Sequence, residues 1–279
     1  MWPDLRRRTA ALELMDDLTI GGAELREALR QLRVINQALG AARPTLEGVT
    51  RFWRAAGQPA TLTVLDVGAG SGDLSRALLR WADRHGVRLQ LVLADIHPET
   101  CAAAAEAHRD EPRVAVVCSD LLQLALRPVD IVTAALFTHH FTQSQLPAVY
   151  RALVGAARRG VVVNDLHRHP LAWAFIWLAT RLLSRNRMIR HDAPLSVRRG
   201  FRAADLRGLR AEPGLGALQF TWRPLFRYLI LVPGQGGDNV RPPGVLSADD
   251  ADFWPISSPN GRRLGTLHPP YVPGERHAG

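Results

Sequence analysis

The stretch Asp66-Val67-Gly68-Ala69-Gly70-Ser71-Gly72-Asp73 limits what this chain can fold into more than any other segment. It follows a short apolar run, 62–67, and leads into a helical stripe of Leu74, Ala77, Leu78 and Trp81. Glycines at alternate positions let the backbone turn tightly and approach a ligand with no Cβ in the way. The unpaired amides of the helix start then face that ligand. Strand, glycine loop and helix in this order open a doubly wound α/β sheet. A dinucleotide-binding loop would place its third glycine at position 73, where this chain has Asp73. An acidic group at the helix entrance is a poor neighbour for a pyrophosphate and a good one for a cation or an amino group. The loop therefore argues against NAD, FAD and nucleotide phosphates.

Four further runs, 89–95, 113–118, 130–136 and 160–165, alternate with helical segments. That alternation marks a parallel sheet covered on both faces. The last two runs, 218–223 and 227–232, lie too close together for a helical crossover, and Pro224-Leu225-Phe226 between them suggests an antiparallel hairpin. The expected fold is α/β: a Rossmann-like, seven-stranded, mostly parallel sheet with an antiparallel last strand and helices on both faces. Asp66, Asp95, Asp120, His139 and Asp165 each fall at or just past the carboxyl end of a successive strand. Ligands of open parallel sheets bind on that side.

Three regions follow. Residues 1–58 form a helical extension, with Leu25, Leu29, Leu32, Ile35 and Leu39 at helical spacing before Gly40, and a second helix over 45–56 closing at Gly57. Residues 59–233 hold the sheet. Residues 234–279 form a tail expected to be disordered, since 16 of the 47 residues from Pro233 onward are proline or glycine. Inside the sheet domain an insertion at about 170–200 begins with the apolar segment Leu171-Ala172-Trp173-Ala174-Phe175-Ile176-Trp177-Leu178. Its ten to thirteen helical residues reach about 15–20 Å, short of a bilayer core of about 30 Å. The segment is a buried lid over an apolar substrate or a surface anchor, and the lid is the favoured expectation. Arg185, Arg187 and Arg190 behind it would suit anionic lipid heads.

All 35 basic residues are arginine, against 26 acids, for a net charge of +9. This reads first as an arginine-solvated surface, and second as affinity for nucleic acid or an anionic membrane. Two cysteines, Cys101 and Cys118, exclude a disulfide framework and a tetrahedral zinc cluster. The first residues lack the apolar core of a signal peptide, so a cytoplasmic location is expected, with peripheral membrane contact as a secondary one.

The acidic residue followed by Gly-x-Gly-x-Gly, set between the first strand and first helix, resembles the first motif of the class I S-adenosylmethionine-dependent methyltransferases. The resemblance spans about 60–232 and is nearest to small-molecule enzymes of the quinone and polyketide type. It implies that Gly68, Ala69, Gly70 and Gly72 pack beside the methionine part of the cofactor, with Asp66 orienting its amino group. Asp95, 23 residues past Gly72, would accept from both ribose hydroxyls, as acidic residues do in nucleotide-binding α/β folds. Asp120 would meet the adenine amino group, and Ile96 and Leu121 would flank the ring.

In such enzymes the loop after strand four, here Leu136-Phe137-Thr138-His139-His140-Phe141, faces the reactive methyl group. Strand five ends in Asn164-Asp165-Leu166-His167. His139, His140, Asp165 and His167 are the candidate bases, and His139 is favoured as nearer the strand end. No metal is expected, because the loop after strand four offers histidines and threonines while hard Mg²⁺ prefers oxygen ligands. Glu13-Leu14-Met15-Asp16-Asp17 and the N-terminal helices would close the pocket from the other side.

The resulting expectation is a secondary-metabolic methyltransferase acting on a small, largely apolar acceptor. A phenolic or polyketide-like hydroxyl comes first, a quinone-type ring carbon second. A nucleic-acid (RNA) methyltransferase is the alternative; the charge favours it, but no Asn-Pro-Pro-Tyr-like or Pro-Cys motif sits where base methylation needs one, and His268-Pro269-Pro270-Tyr271 lies in the tail. A non-catalytic binding protein on the same fold is the third reading.

Overall fold

In the computed structural model, residues 3–121 and 128–234 are described. The segment from 235 onward, expected to be disordered, lies outside them.

Five strands run parallel: β1 (Thr61–Val67), β2 (Arg88–Asp95), β3 (Val114–Cys118), β4 (Val129–Ala135) and β5 (Ala157–Leu166). Two more, β6 (Gln219–Arg223) and β7 (Arg227–Pro233), form the expected hairpin. The sheet order is β3-β2-β1-β4-β5-β7-β6, with β7 antiparallel to both neighbours. Strand order reverses between β1 and β4, so the chain leaves these two strands in opposite directions. The crevice opens at that switch point. It lies between the glycine loop after β1 and the Leu136–Phe141 stretch after β4.

Both faces of the sheet are apolar because both are covered. On β1, Leu62 and Val64 enter one core with Val49 and Trp53 of α2 (Arg43–Ala55) and Leu78 of α3 (Ser75–His85). Leu65 and Val67 enter the other, with Val149, Tyr150 and Leu153 of α5 (Leu146–Ala156) and Leu206 of α8 (Ala203–Arg210). Each fully buried aliphatic side chain contributes about 1.5–3 kcal/mol, so strands buried on both sides outweigh their low content of polar anchors. The strand boundaries agree with the apolar runs to within a few residues.

A third, smaller core sits over the carboxyl edge. Leu25, Ala28 and Leu29 of α1 (Gly22–Ala38) meet Met188 and Ile189 of α7 (Arg187–Arg199), with Leu14, Met15 and Ile20 packed against them. The N-terminal extension thus roofs the crevice. Glu99, in the first turn of α4 (Pro98–Ala107), ties this roof down by accepting from the Gly22 amide at 2.7 Å.

The insertion departs from expectation. Its first helix, α6 (Pro170–Leu183), is not a buried lid: only Ala172 and Thr180 are buried, and Leu171, Phe175, Leu178 and Leu182 stand 52–73% exposed. The reason is layering. Helix α7 lies inward with Met188, Ile189, Leu195 and Val197 buried, and α6 packs outside it. Pro194 inside α7 hides that helix from a sequence reading, since proline ordinarily breaks a helix interior. Among the described residues, no helix is long and apolar enough to cross a membrane.

Candidate active site

After β1 the chain bends through Gly68, Gly70 and Gly72, all at positive φ (+64°, +55° and +77°). A Cβ on Gly68 would run into the Phe137 ring, whereas a Cβ on Gly70 would point into open space. The loop therefore keeps one face free beside its own backbone. Three carboxylates surround it. Asp66 is buried at the end of β1, where its Oδ1 accepts from Thr133 Oγ1 at 2.7 Å. Burial, together with the nearby Asp95 and Asp73 charges, lifts its pKa to about 7 against the pull of Thr133. Asp95 Oδ2 accepts from the Gly70 amide at 2.8 Å, and its Oδ1 accepts from the His97 amide and Thr100 Oγ1, both at 2.9 Å. It therefore braces the loop and the start of α4, leaving lone pairs for a further donor. Asp73 pairs with Arg33 of α1 at 2.8 Å, and Arg33 also donates to Ser71 Oγ at 3.1 Å. Ile96 is 48% exposed beside this loop, while Leu121 packs on the core. Asp120 follows the end of β3, and Ala69 sits between the first two glycines. An amide-lined turn ringed by acids suits a ligand carrying positive charge.

Across the switch point the chemistry is carried by side chains. Leu136 sits at φ +55°, rare for a residue with a branched side chain. It turns the chain from β4 into the short helical turn Thr138–His140, over the end of β5. There Asp165, with no exposed surface, accepts four bonds: Thr138 Oγ1 at 2.7 Å, the His139 amide at 3.0 Å, His139 Nδ1 at 2.7 Å and the Leu166 amide at 2.8 Å. Burial alone would raise the Asp165 pKa; His139 and these hydrogen bonds hold it well below the usual carboxylate range. The carboxylate is saturated with hydrogen bonds and held ionised, an arrangement suited to orienting His139 more than to taking a proton.

The Nε2 of His139 faces Glu13 Oε1 at 3.7 Å, too long for a hydrogen bond, and Glu13 Oε1 is buried with no partner. His140 stacks on His139 with ring centroids 4.3 Å apart, and its Nδ1 bonds Asp16 Oδ1 at 2.6 Å. Burial would lower the His140 pKa, but Glu13 and Asp16 outweigh it and raise the value to about 9. His140 therefore carries its proton at neutral pH and is not a base. His167 is placed apart from this pair, among His169, Phe226 and Tyr228, with ring centroids 5.1–6.3 Å away. The four candidates thus divide into one imidazole with a free basic edge, its orienting carboxylate, one cation and one outlier.

The N-terminal segment expected to close the pocket supplies Glu13 and Asp16; the residue that sequence reasoning did not single out is Arg199, from the end of α7. Arg199 donates to the His139 carbonyl at 3.1 Å, to the His140 carbonyl, and to Asp16 Oδ2 at 3.0 Å. Asp192 fixes the segment by accepting from the Leu14 and Met15 amides at 2.8 and 3.0 Å. Glu13, His139 and His140 bring ligand atoms within 4.8 Å of one another, the one potential metal cluster among the described residues. The Arg199 guanidinium stands 3.9 Å from Glu13 Oε1, a fixed positive charge beside this group.

Comparison with known proteins agrees with this architecture. Residues 64–160 match the family model described as a methyltransferase domain. No curated protein sequence matches the chain. Among solved structures, a putative S-adenosyl-L-methionine-dependent methyltransferase from Methanococcus maripaludis shares 12% identity over 79% of this chain and 98% of its own, with a TM-score of 0.56. The plantazolicin methyltransferase BpumL, solved with a triazolic desmethylPZN analog and SAH, shares 9% identity over 75% of this chain and 90% of its own, with a TM-score of 0.57.

Proposed function

We propose that the chain carries a class I S-adenosylmethionine-dependent methyltransferase domain and methylates a small, largely apolar acceptor. A phenolic or polyketide-like hydroxyl is the first choice and a quinone-type ring carbon the second. When bound, S-adenosylmethionine supplies an electrophilic methyl group on a sulfonium centre. The residues present fit it: the open face at Gly70 leaves room beside the backbone, and the carboxylates match a cationic ligand. Gly68, Ala69, Gly70 and Gly72 would line its methionine part and Asp66 would hold the ammonium. Asp95 would accept from the ribose hydroxyls, Asp120 from the adenine amino group, and Ile96 and Leu121 would flank the ring.

The observation that carries the acceptor side is the buried pair of Asp165 and His139. With Nδ1–H committed to the carboxylate, the imidazole presents Nε2 as its basic edge, and Asp165 stabilises the imidazolium that forms. An acceptor hydroxyl within hydrogen-bond reach of His139 Nε2, taking the place Glu13 holds 3.7 Å away, would give its proton to His139 as the C–O bond to the methyl forms and the S–C bond breaks. Phe137 and Phe141, in edge contact at 5.1 Å, supply the apolar wall. The roof of residues 13–16 and Arg199 leaves His139 only 3% exposed, which favours a small molecule over a nucleic acid needing an open groove.

Incubation with methyl-labelled cofactor and a panel of phenols, aromatic polyketides and quinols tests this reading. Label on a phenolic oxygen, lost in Asp165→Asn, is the expected result. Cofactor binding with no transfer to any small acceptor, but transfer to RNA, would replace it.

A further inference from the structure

Three arginines among the described residues are nearly inaccessible: Arg168 at 1%, Arg199 at 3% and Arg227 at 3% exposure. Two are fully answered. Arg168 donates to the carbonyls of Leu5 at 3.0 Å and Gly200 at 2.6 Å, and pairs with Asp205 at 3.0 Å. Arg199 has the His139 and Ala11 carbonyls and Asp16. The Arg227 side chain makes no hydrogen bond and no ion pair with any described residue, and its Nε and one terminal nitrogen are buried without a hydrogen-bond partner. Burial brings its pKa down to about 10, with the Asp165 charge acting against that, so it remains a cation at neutral pH.

Its place in the fold points to a ligand. Arg227 opens β7, and because β7 runs antiparallel to β5 it lies at the same sheet edge as the candidate active site. It is paired with Leu166 and shares a face with Asn164, two residues back along β5. Asn164 commits its Nδ2 to the Ala41 carbonyl and Thr45 Oγ1, while its Oδ1 is buried and unpartnered. Two unmet donors and an unmet acceptor therefore lie on one face of the sheet, toward the same end of β5, without bonding each other. Asp165 reaches Arg227 through its charge alone, since its oxygens already hold four hydrogen bonds. A water molecule would satisfy donors but bring no charge to them, whereas a carboxylate supplies both, and a buried cation with no contacting counter-ion is costly.

We propose that Arg227 is the subsite for a carboxylate carried by the acceptor, set on the ring beside the position that is methylated. A planar guanidinium takes a carboxylate through paired N–H donors, which fixes orientation as well as affinity. An acceptor clamped there would present a fixed edge to His139. This rests on the methyl-transfer reading given above.

Two measurements on the full chain test it. In thermal unfolding, benzoate should raise the wild-type Tm and leave that of Arg227→Met unmoved, while the variant in plain buffer melts no lower than wild type. A clearly lower Tm for Arg227→Met in plain buffer would mark the guanidinium as structural and overturn the subsite. In titration calorimetry with S-adenosylhomocysteine present, 1-hydroxy-2-naphthoate should bind at least about tenfold more tightly than 1-naphthol. That advantage should vanish in Arg227→Met and return in part in Arg227→Lys. Equal binding of the two probes to wild type, or an advantage that survives in Arg227→Met, would overturn the proposal. Failure of the wider reading looks different: S-adenosylhomocysteine itself would not bind.

Discussion

At the ends of β1 and β2 the site is built from one short loop, whose amides and three glycines make the surface, with Asp95 at the end of β2 bracing it. At the ends of β4 and β5 it is built from Glu13, His139, Asp165 and Arg199, side chains from four distant segments that meet only after the roof has packed. The first half depends on backbone conformations that few residue types permit, so its chemistry is tied to its sequence spacing. The second depends on where helices α1 and α7 come to rest, so its chemistry can change while the fold stays. Under the proposed function the division has a sense: the constant part would bind a constant cofactor, and the variable part a variable acceptor.

Substitutions in the loop should sharpen this contrast most. Gly70→Val introduces a branched Cβ at φ +55° and into the open face. The strained backbone alone costs about 1–3 kcal/mol. Calorimetry with S-adenosylhomocysteine should find no saturable binding at about 100 times the wild-type Kd. Asp95→Ala removes hydrogen bonds to a charged acceptor, each contributing about 1.5–3 kcal/mol, and should raise the Kd about ten- to 150-fold. An unchanged Kd would reduce Asp95 to a brace for the loop and α4.

A pH titration of cofactor affinity probes the same half more gently. Asp66 titrates near 7 in the free protein, and an ammonium group beside it favours the ionised form. Its pKa falls on binding, so the interaction is fully present above pH 7 and is lost as pH drops. Affinity should weaken toward about tenfold per unit below that point, with proton release on binding near neutrality. A flat profile between pH 5.5 and 8 would remove Asp66 from the ligand. The smallest effect belongs to the other half. Dialysis against EDTA should leave methyl transfer unchanged, because Arg199 already balances Glu13; loss of activity restored by a divalent ion would turn Glu13, His139 and His140 into a metal centre.

Legibility followed the same division. The strands, the terminal hairpin and the acidic positions could be read because each is a local pattern: an apolar run, a turn, a polar residue at a strand end. The loop glycines could be read because positive φ leaves few alternatives. The role of Asp165 could not, since its saturation depends on Thr138 and His139 folding back over β5 through the unusual conformation of Leu136. Nor could the charge on His140, set by Glu13 and Asp16, more than 120 residues earlier in the chain. Helix α6 shows the limit of apolar content as evidence of burial: its stripe is real and faces outward.

The comparison rests on one separation, that binding and transfer belong to different halves. Single-turnover methyl transfer and S-adenosylhomocysteine affinity measured together on His139→Ala test it most directly, using a phenolic acceptor and saturating cofactor. The account predicts a rate lowered by about 10²–10⁴ with cofactor affinity unchanged. A near-wild-type rate would contradict it, and so would a loss of rate matched by an equal loss of cofactor affinity.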